Sequence, residues 1–487
     1  MEKRLVYTTT GLRITPYEEG QVKALEKHTS TYDKIYHRWN SLNGFYNDKL
    51  SIFATYKINP GMICKMFPDY TKTYVPAIKP GIVPQYNLTV SLNKYQTEIM
   101  DRLSSLPTIK NEVFVNSPTA SGKTVLATAY AAMMHTPTIV VCFSSKILEQ
   151  WQDTFACKTD IPIDSMMKIV TGRQMYDMYT GEYDVSRMSV FFVTTSLLDR
   201  FGTDYGYEYL QPLFERLHIG LKIIDEAHCR LATITRLNAY TSVNKTLYLS
   251  ADFNQANSRK LRLFMDMLKY AEIIKLSNES MKELSHITVV NSIFYSHPSM
   301  KDKLDIVSGA YKWSNLKYTR YQFTNGIFIK AFDDIIDKIL QYDEDLTDSG
   351  YKILVLVQLI EEIDILVNRL HKRHKEVSTS GYYAKDDSED QTKATHSKII
   401  VSTYKAFSTG IDITKPEIRH VISTCPVDVV TSNQAAGRCR PIKGLTSYFW
   451  MMLDYDFEHC VYNAQKVNKY LLDNKAQKVD TLKLNER

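Results

Sequence analysis

Cysteine is scarce and scattered in this chain of 487 residues: Cys64, Cys142, Cys157, Cys229, Cys425, Cys439 and Cys460 form no C-x-x-C pair. That excludes the usual zinc spacings and a disulfide framework, and leaves a reducing, intracellular compartment as the expectation. Long hydrophobic runs are missing as well. No stretch approaches the roughly 18 apolar residues of a membrane-spanning helix, so no membrane partner is expected. The opening residues, Met1-Glu2-Lys3-Arg4-Leu5-Val6-Tyr7, lack the apolar core of a signal peptide. Internal repeats and low-complexity segments are lacking too. The expected location is therefore cytoplasmic, and the length corresponds to about three or four domains.

The formal net charge is only +6, but it is unevenly placed. Residues 1–80 carry twelve Lys/Arg against seven Asp/Glu, together with Tyr32, Tyr36, Trp39, Phe45, Tyr46, Phe53 and Tyr56. Basic residues interleaved with aromatics suit a nucleic-acid surface, cations meeting phosphates and rings meeting bases. A small α+β core with a solvated basic face has the same composition.

The most informative stretch is Ser117-Pro118-Thr119-Ala120-Ser121-Gly122-Lys123-Thr124. It follows an apolar run, Val113-Phe114-Val115, and precedes a helix-prone run from Val125 to Met134. Strand, small-residue loop and helix form the context of a phosphate-binding loop, whose backbone N–H groups face an anion. Lys123 supplies a charge for the β- and γ-phosphates, and the Thr124 hydroxyl suits Mg²⁺. The usual pattern, G-x-x-x-x-G-K-[ST], opens on a glycine, and Ser117 stands there instead. About a hundred residues on, Leu221-Lys222-Ile223-Ile224-Asp225-Glu226-Ala227-His228 reads as an apolar strand ending in two carboxylates. Asp225 suits Mg²⁺, and Glu226 suits orienting and deprotonating an attacking water.

The chain in order reads as a small α+β domain over 1–88, then two α/β units over 89–280 and 281–460, then a helix and tail over 461–487. In the first domain, Leu5–Tyr7, Lys34–Trp39 and Leu50–Ile58 are expected strands, with a turn region at Asn43-Gly44. Thr15-Pro16-Tyr17-Glu18 is expected to cap a helix running to about His28. The three prolines between Pro76 and Pro84 mark a linker. Lys94-Tyr95-Gln96 opens an amphipathic helix, and a glutamine amide can read both edges of adenine. Strands are expected at Thr138–Phe143, Val190–Thr194, Leu221–Ile224 and Thr246–Leu249. In the second unit they are expected at Ile353–Val357, Ser397–Thr403 and His420–Ser423, after a mixed approach segment over 281–350. Alternating strands and helices predict parallel sheets covered on both faces, with ligands at the carboxyl ends of the strands. The tail from Val461, with six Lys/Arg against three Asp/Glu, reads as a solvated end.

In their order, these blocks resemble the superfamily 2 helicases of the DEAH-box type over roughly residues 89 to 460. Gln96 is similar to the family's adenine-reading glutamine. S-P-T-A-S-G-K-T and D-E-A-H resemble its Walker A and B blocks. V-V-C-F-S-S-K-I-L-E-Q-W resembles the block that touches one nucleic-acid strand, and S-T-Y-K-A-F-S-T-G-I-D-I and Q-A-A-G-R-C-R resemble the two late blocks. P-T-A-S-G-K-T, F-S-T-G-I-D and the N-terminal appendage look most like phage branch-migration helicases.

The resemblance implies two tandem RecA-like domains with ATP and Mg²⁺ between them and a small α+β domain in front. It implies ATP hydrolysis that drives the chain, as a monomer, along a single-stranded tracking strand of forked or branched DNA in replication, recombination or repair, and a phage or viral protein acting in a host cell. By the same resemblance, Gln96, Pro118, Thr119, Ala120, Ser121, Gly122, Lys123, Thr124, Gly410, Asp412 and Gln434 bind the nucleotide. Lys123, Asp225, Glu226, Arg438 and Arg440 are catalytic, and Thr124 and Asp225 hold the metal. His228 and Ser250 couple hydrolysis to movement, and Ser144, Lys146, Thr195 and Thr403 contact nucleic acid.

Two departures stand out. The block usually read S-A-T is Ser250-Ala251-Asp252, and the second arginine position of Q-x-x-G-R-x-x-R is Pro441, with Arg440 one residue early. Pro441 is expected to stop the helix and re-aim Arg440. Two alternatives stay open: an RNA helicase or transcript-release factor, and a nucleic-acid-binding protein with weak ATPase.

Overall fold

The computed structural model describes residues 4–8, 11–15, 30–33, 38–41, 46–48, 52–55, 68–74, 84–107, 111–117, 121–227, 230, 233–234, 237–238, 241, 243–250, 272–308, 312–342, 351–386, 388–408, 417–439, 441–442 and 444–485. These residues divide into two compact units, the first ending at Leu276 and the second running Ser277–Arg487.

The first unit contains a seven-stranded sheet in which every pairing is parallel. Its strands lie in the order Met166–Lys168, Val190–Thr194, Thr138–Cys142, Leu221–Ile224, Lys245–Ser250, Glu112–Asn116, Glu272–Lys275. Thr138–Cys142 (T-I-V-V-C) is buried at all five positions, as a β-branched run inside a sheet covered on both faces must be. The covering helices start on strong local signals. Asn93 and Gln96 form a reciprocal capping box at the head of Lys94–Ser104, and Ser144 accepts from the Ile147 N–H at the head of Ser145–Lys158. The alanine-rich helix Lys123–Met134 starts after Gly122.

The second unit repeats this architecture: another seven-stranded, all-parallel sheet, in the order Thr379–Tyr382, Ile399–Thr403, Lys352–Val357, Ile418–Ser423, Ser447–Asp454, Ile287–Phe294, Ala476–Lys483. Helices Gly326–Tyr342 and Ile360–Arg373 bury Phe328, Phe332, Ile335, Ile336, Leu366 and Leu370 in one core cluster of this unit. Glu362 starts the second of them by accepting from the N–H groups of Gln358 and Leu359. Both sheets are thus of the parallel, helix-covered kind that the strand–helix alternation and the RecA-like resemblance imply.

Two segments of the second unit differ from the sequence expectation. Ile287–Phe294, within the stretch read as an approach segment, is a buried sheet strand. Ala476–Lys483, read as solvated tail, pairs in parallel beside it. Charge misled there: A-Q-K-V-D-T-L-K is an edge strand, where one face and one side meet water, so its lysines and aspartate are tolerated.

The front of the chain holds a five-stranded sheet, Tyr46–Asp48, Ile52–Thr55, Gly11–Thr15, Arg4–Thr8, Thr71–Tyr74. Of the run expected to be a strand at Lys34–Trp39, Arg38 and Trp39 belong to the strand Arg38–Ser41, which pairs antiparallel with Ser30–Asp33, and residues 34–37 lie outside the described residues. Thr15 closes a strand that the sequence did not announce. The expected helix over 16–28 and the Asn43-Gly44 turn lie outside the described residues.

Candidate nucleotide-binding site

In an open parallel sheet the loops leaving the carboxyl ends of the strands share one edge. In the first unit this gathers the polar clusters. The phosphate-type loop leaves Glu112–Asn116, Asp225 leaves Leu221–Ile224, Ser144 leaves Thr138–Cys142, Thr195 leaves Val190–Thr194, and Ser250 ends the strand between the loop strand and the Asp225 strand. Ser250 is fully buried, and its carbonyl accepts from the Ser117 N–H at 3.2 Å. The Leu249 carbonyl likewise accepts from the Ala227 N–H at 3.0 Å. One strand therefore holds both the loop and the carboxylate pair.

The loop's serine at the usual glycine position has a structural explanation. The Ser117 hydroxyl donates to the Ser121 hydroxyl at 2.6 Å, with both residues buried, which closes the loop side chain to side chain. Gly122 has φ +81, the left-handed region that only glycine enters cheaply. A Cβ there would stand 2.3 Å from Nε2 of Gln96. That approach is used: Gln96 Nε2 donates to the Gly122 carbonyl at 3.1 Å, and its Oε1 accepts from the Asn93 N–H at 2.9 Å. Gln96 is buried and ties its helix to the loop, while each end of its amide retains one further hydrogen-bonding position. The Lys123 ammonium, half-buried at the helix start, donates to the Ser117 carbonyl at 3.0 Å.

Asp225 is held by three hydrogen bonds. Its N–H donates to the Val141 carbonyl at 3.0 Å, its Oδ1 accepts from the Glu226 N–H at 2.9 Å, and its Oδ2 accepts from the Trp151 indole N–H at 2.8 Å. Burial, then repulsion from Glu226, pushes its pKa up to about 6, against the Trp151 hydrogen bond and the charge of Lys123, which favour the carboxylate. Glu226 has φ +44, a left-handed conformation uncommon for a glutamate. Burial and the two carboxylates push the Cys142 thiol well above its usual range, leaving it unreactive. Sequence reasoning missed Trp151 as part of the site. Its signal was there: an indole N–H in a buried helix position requires an acceptor.

The residues assigned to nucleic acid separate into two kinds. Ser144 and Lys146, at the head of the Ser145–Lys158 helix, are half-exposed and exposed. Thr195 and Thr403 are buried, and their hydroxyls are used internally: Thr195 donates to the Cys142 carbonyl at 3.4 Å, and Thr403 accepts from the Ala406 N–H at 3.1 Å. Strand-end threonines commonly cap the helix that follows.

In the second unit Gln434 lies on the helix Val429–Ala436, which Asp428 caps. That helix ends at Ala436 with Gly437 as its cap, so Arg438 already lies beyond it, and Pro441 is not what stops it. Gln434 and Arg438 are half-buried. Pro118, Thr119, Ala120, His228, Gly410, Asp412 and Arg440 lie outside the described residues.

The donor set suits magnesium. The Asp225 carboxylate and Thr124 hydroxyl are hard oxygen donors, and Mg²⁺ takes few protein ligands beside water and phosphate. Among the described residues no group of three or more His, Cys, Asp or Glu is placed to hold a metal by itself. No helix among them is long and apolar enough to cross a membrane.

Residues 89–255 match the family model of the type III restriction enzyme res subunit, ResIII, a helicase-family domain, and this match covers the loop, the carboxylate pair and Ser250. No curated protein matches the chain. Among solved structures, the crystal structure of the Pyrococcus furiosus Hef helicase domain is similar over 76% of this chain and 97% of that one, with 12% identity and a TM-score of 0.45.

Proposed function

We propose that this chain is an ATP-dependent superfamily 2 helicase that moves along one strand of DNA and remodels forked and branched junctions. The observation that carries the reading is the joining of the Gly122-Lys123-Thr124 loop and the Asp225-Glu226 pair by the single strand Lys245–Ser250 at one sheet edge.

In this reading the Lys123 ammonium exchanges the Ser117 carbonyl for phosphate oxygens, and the loop N–H groups take the remaining ones. Asp225 and Thr124 would hold Mg²⁺, which supplies charge neutralisation between the β- and γ-phosphates. Glu226 accepts the proton of the attacking water. Gln96 uses the open positions of its amide for adenine. Gln434, Arg438 and Arg440 keep the roles that the helicase resemblance gives them. Ser144 and Lys146 contact the tracking strand, and phosphate contacts make that grip tolerant of sequence. The likeness of P-T-A-S-G-K-T and F-S-T-G-I-D to phage branch-migration helicases favours DNA junctions as substrate.

The test is ATP turnover with no nucleic acid, with single-stranded DNA, with forked DNA and with RNA. Forked DNA is expected to stimulate most. Greater stimulation by RNA supports a transcript-directed motor, and no stimulation by any of them supports a binding protein with a weak ATPase. Lys123→Ala should weaken nucleotide binding and abolish turnover. Glu226→Gln should bind ATP normally and lose about 10²-fold or more in turnover, the usual worth of a general base.

A further inference from the structure

The indole of Trp151 is 1% exposed, yet its N–H is spent on a carboxylate rather than on a backbone carbonyl, donating to Asp225 Oδ2 at 2.8 Å. Trp151 lies on Ser145–Lys158, and its ring packs near Phe155, with centroids 6.3 Å apart. That helix follows the strand Thr138–Cys142, which is the direct sheet neighbour of Leu221–Ile224. The strand also holds Asp225 through the Val141 carbonyl. One strand–helix unit, Thr138–Lys158, therefore grips Asp225 by backbone and by side chain. The head of the same helix carries Ser144 and the exposed Lys146.

A carboxylate has about four lone-pair positions. Trp151 and the Glu226 N–H occupy one on each oxygen of Asp225. With both oxygens anchored, the plane of the carboxylate is fixed and the remaining lone pairs have set directions. Groups that orient a metal ligand in this way typically contribute 10–100-fold in metal affinity.

We propose that Trp151 is the positioning residue for the metal-holding carboxylate, and that it joins the strand-contacting helix to Asp225 so that nucleic-acid binding tightens Mg²⁺–nucleotide binding. The inference rests on the proposed nucleotide site and deepens it. It adds a route by which the strand reaches the metal within the first unit, through one indole N–H.

Trp151→Phe removes the N–H and keeps an aromatic ring in place. Trp151→Met is a second donor-free, apolar replacement, and Phe155→Leu disturbs the neighbouring packing without touching the hydrogen bond. Equilibrium binding of a fluorescent ATP analogue to the full chain is read during a Mg²⁺ titration, in EDTA, and with and without single-stranded DNA. Thermal unfolding reports that each variant is folded. Both Trp151 variants are expected to bind in EDTA within about twofold of the parent, to need about tenfold more Mg²⁺ for half-saturation, and to lose the DNA-dependent gain. Phe155→Leu is expected to leave the Mg²⁺ midpoint where it was. An unchanged midpoint in Trp151→Phe, or an equal loss with and without Mg²⁺, overturns the inference while leaving the site intact. A parent chain that binds the analogue without any Mg²⁺ dependence overturns the site reading and this inference together.

Discussion

Gly122 is the residue on which the loop's geometry depends most directly. Its φ of +81 and the 2.3 Å approach of Gln96 Nε2 to the place of a Cβ are two separate reasons against any side chain. An alanine in the left-handed region costs about 1–2 kcal/mol, and it would also push Gln96 off the Gly122 carbonyl. The strain counts against stability, while displacement of the Gln96 amide from the loop is expected to weaken ATP binding by roughly tenfold, a difference of about 1.4 kcal/mol. The melting temperature should fall by only a few degrees, because the sheet is untouched. Calorimetric binding and unfolding on the same sample check this, and normal affinity beside a large drop in melting temperature would show that the glycine serves folding alone. Ser117 is the contrasting residue. Its hydroxyl bond to Ser121 gives the loop by side-chain chemistry a closure that the usual glycine gives by backbone freedom.

At the scale of elements, the informative piece is the last strand. Ala476–Lys483 pairs with Ile287–Phe294 along most of its length and contributes Ala476 to the buried core, while Lys475 just before it is buried and donates to the Asn433 carbonyl. The strand is an edge, and removing it would turn Ile287–Phe294, buried at all eight positions, into a new edge. Truncation after Lys475 is therefore expected to lower the melting temperature of the second unit by about 10 °C, the shift that a few kcal/mol produces in a domain of this size. It should also promote concentration-dependent association through the uncovered strand. The melting transition of the first unit should stay in place. A solvated tail, by contrast, could be cut with no change in either transition, so scanning calorimetry and light scattering decide between the two.

For the whole molecule, the question is what residues ahead of the first α/β unit contribute. Pro84 to Thr89 already belong to that unit's packing. Tyr86 is buried against Phe155, the Asn87 side chain bonds Asp160, and the Thr89 N–H donates to the Lys158 carbonyl. A clean test removes residues 1–83, because a cut at 88 would also strip Tyr86 from the core at a cost of about 3–5 kcal/mol. The shortened chain is expected to keep basal ATP hydrolysis. If the basic, aromatic-rich front senses branched DNA, the shortened chain should bind forks more weakly and show a flatter dependence of affinity on salt, since fewer counterions are released. Equal fork affinity and an equal salt slope in both chains would leave the front part as a stabilising cap.

The sequence alone determined the strand–helix alternation, because covered parallel strands must be apolar runs such as T-I-V-V-C and helices must begin at caps such as Asn93 and Ser144. It also marked the Gly122-Lys123-Thr124 loop and the carboxylate pair as the candidate site, since phosphate-binding chemistry tolerates few other residues at that spacing. The tertiary structure decided what depends on neighbours distant along the chain. Lys222, the one charged residue in L-K-I-I, is buried and donates to Asn238 at 2.8 Å and Thr241 at 2.9 Å, and burial lowers its pKa to about 8. Thr195 and Thr403, assigned to nucleic acid by the resemblance, are buried, the first donating to the Cys142 carbonyl and the second capping the helix that follows it. The charged tail is a sheet strand because Ile287–Phe294 offers it an open edge. Trp151 joins the site because the sheet places its strand–helix unit beside the strand of Asp225. Local pattern fixes which elements form, since caps and periodicity act within a few residues. Which buried polar group meets which partner depends on strand order, and that order is set by packing over the whole unit.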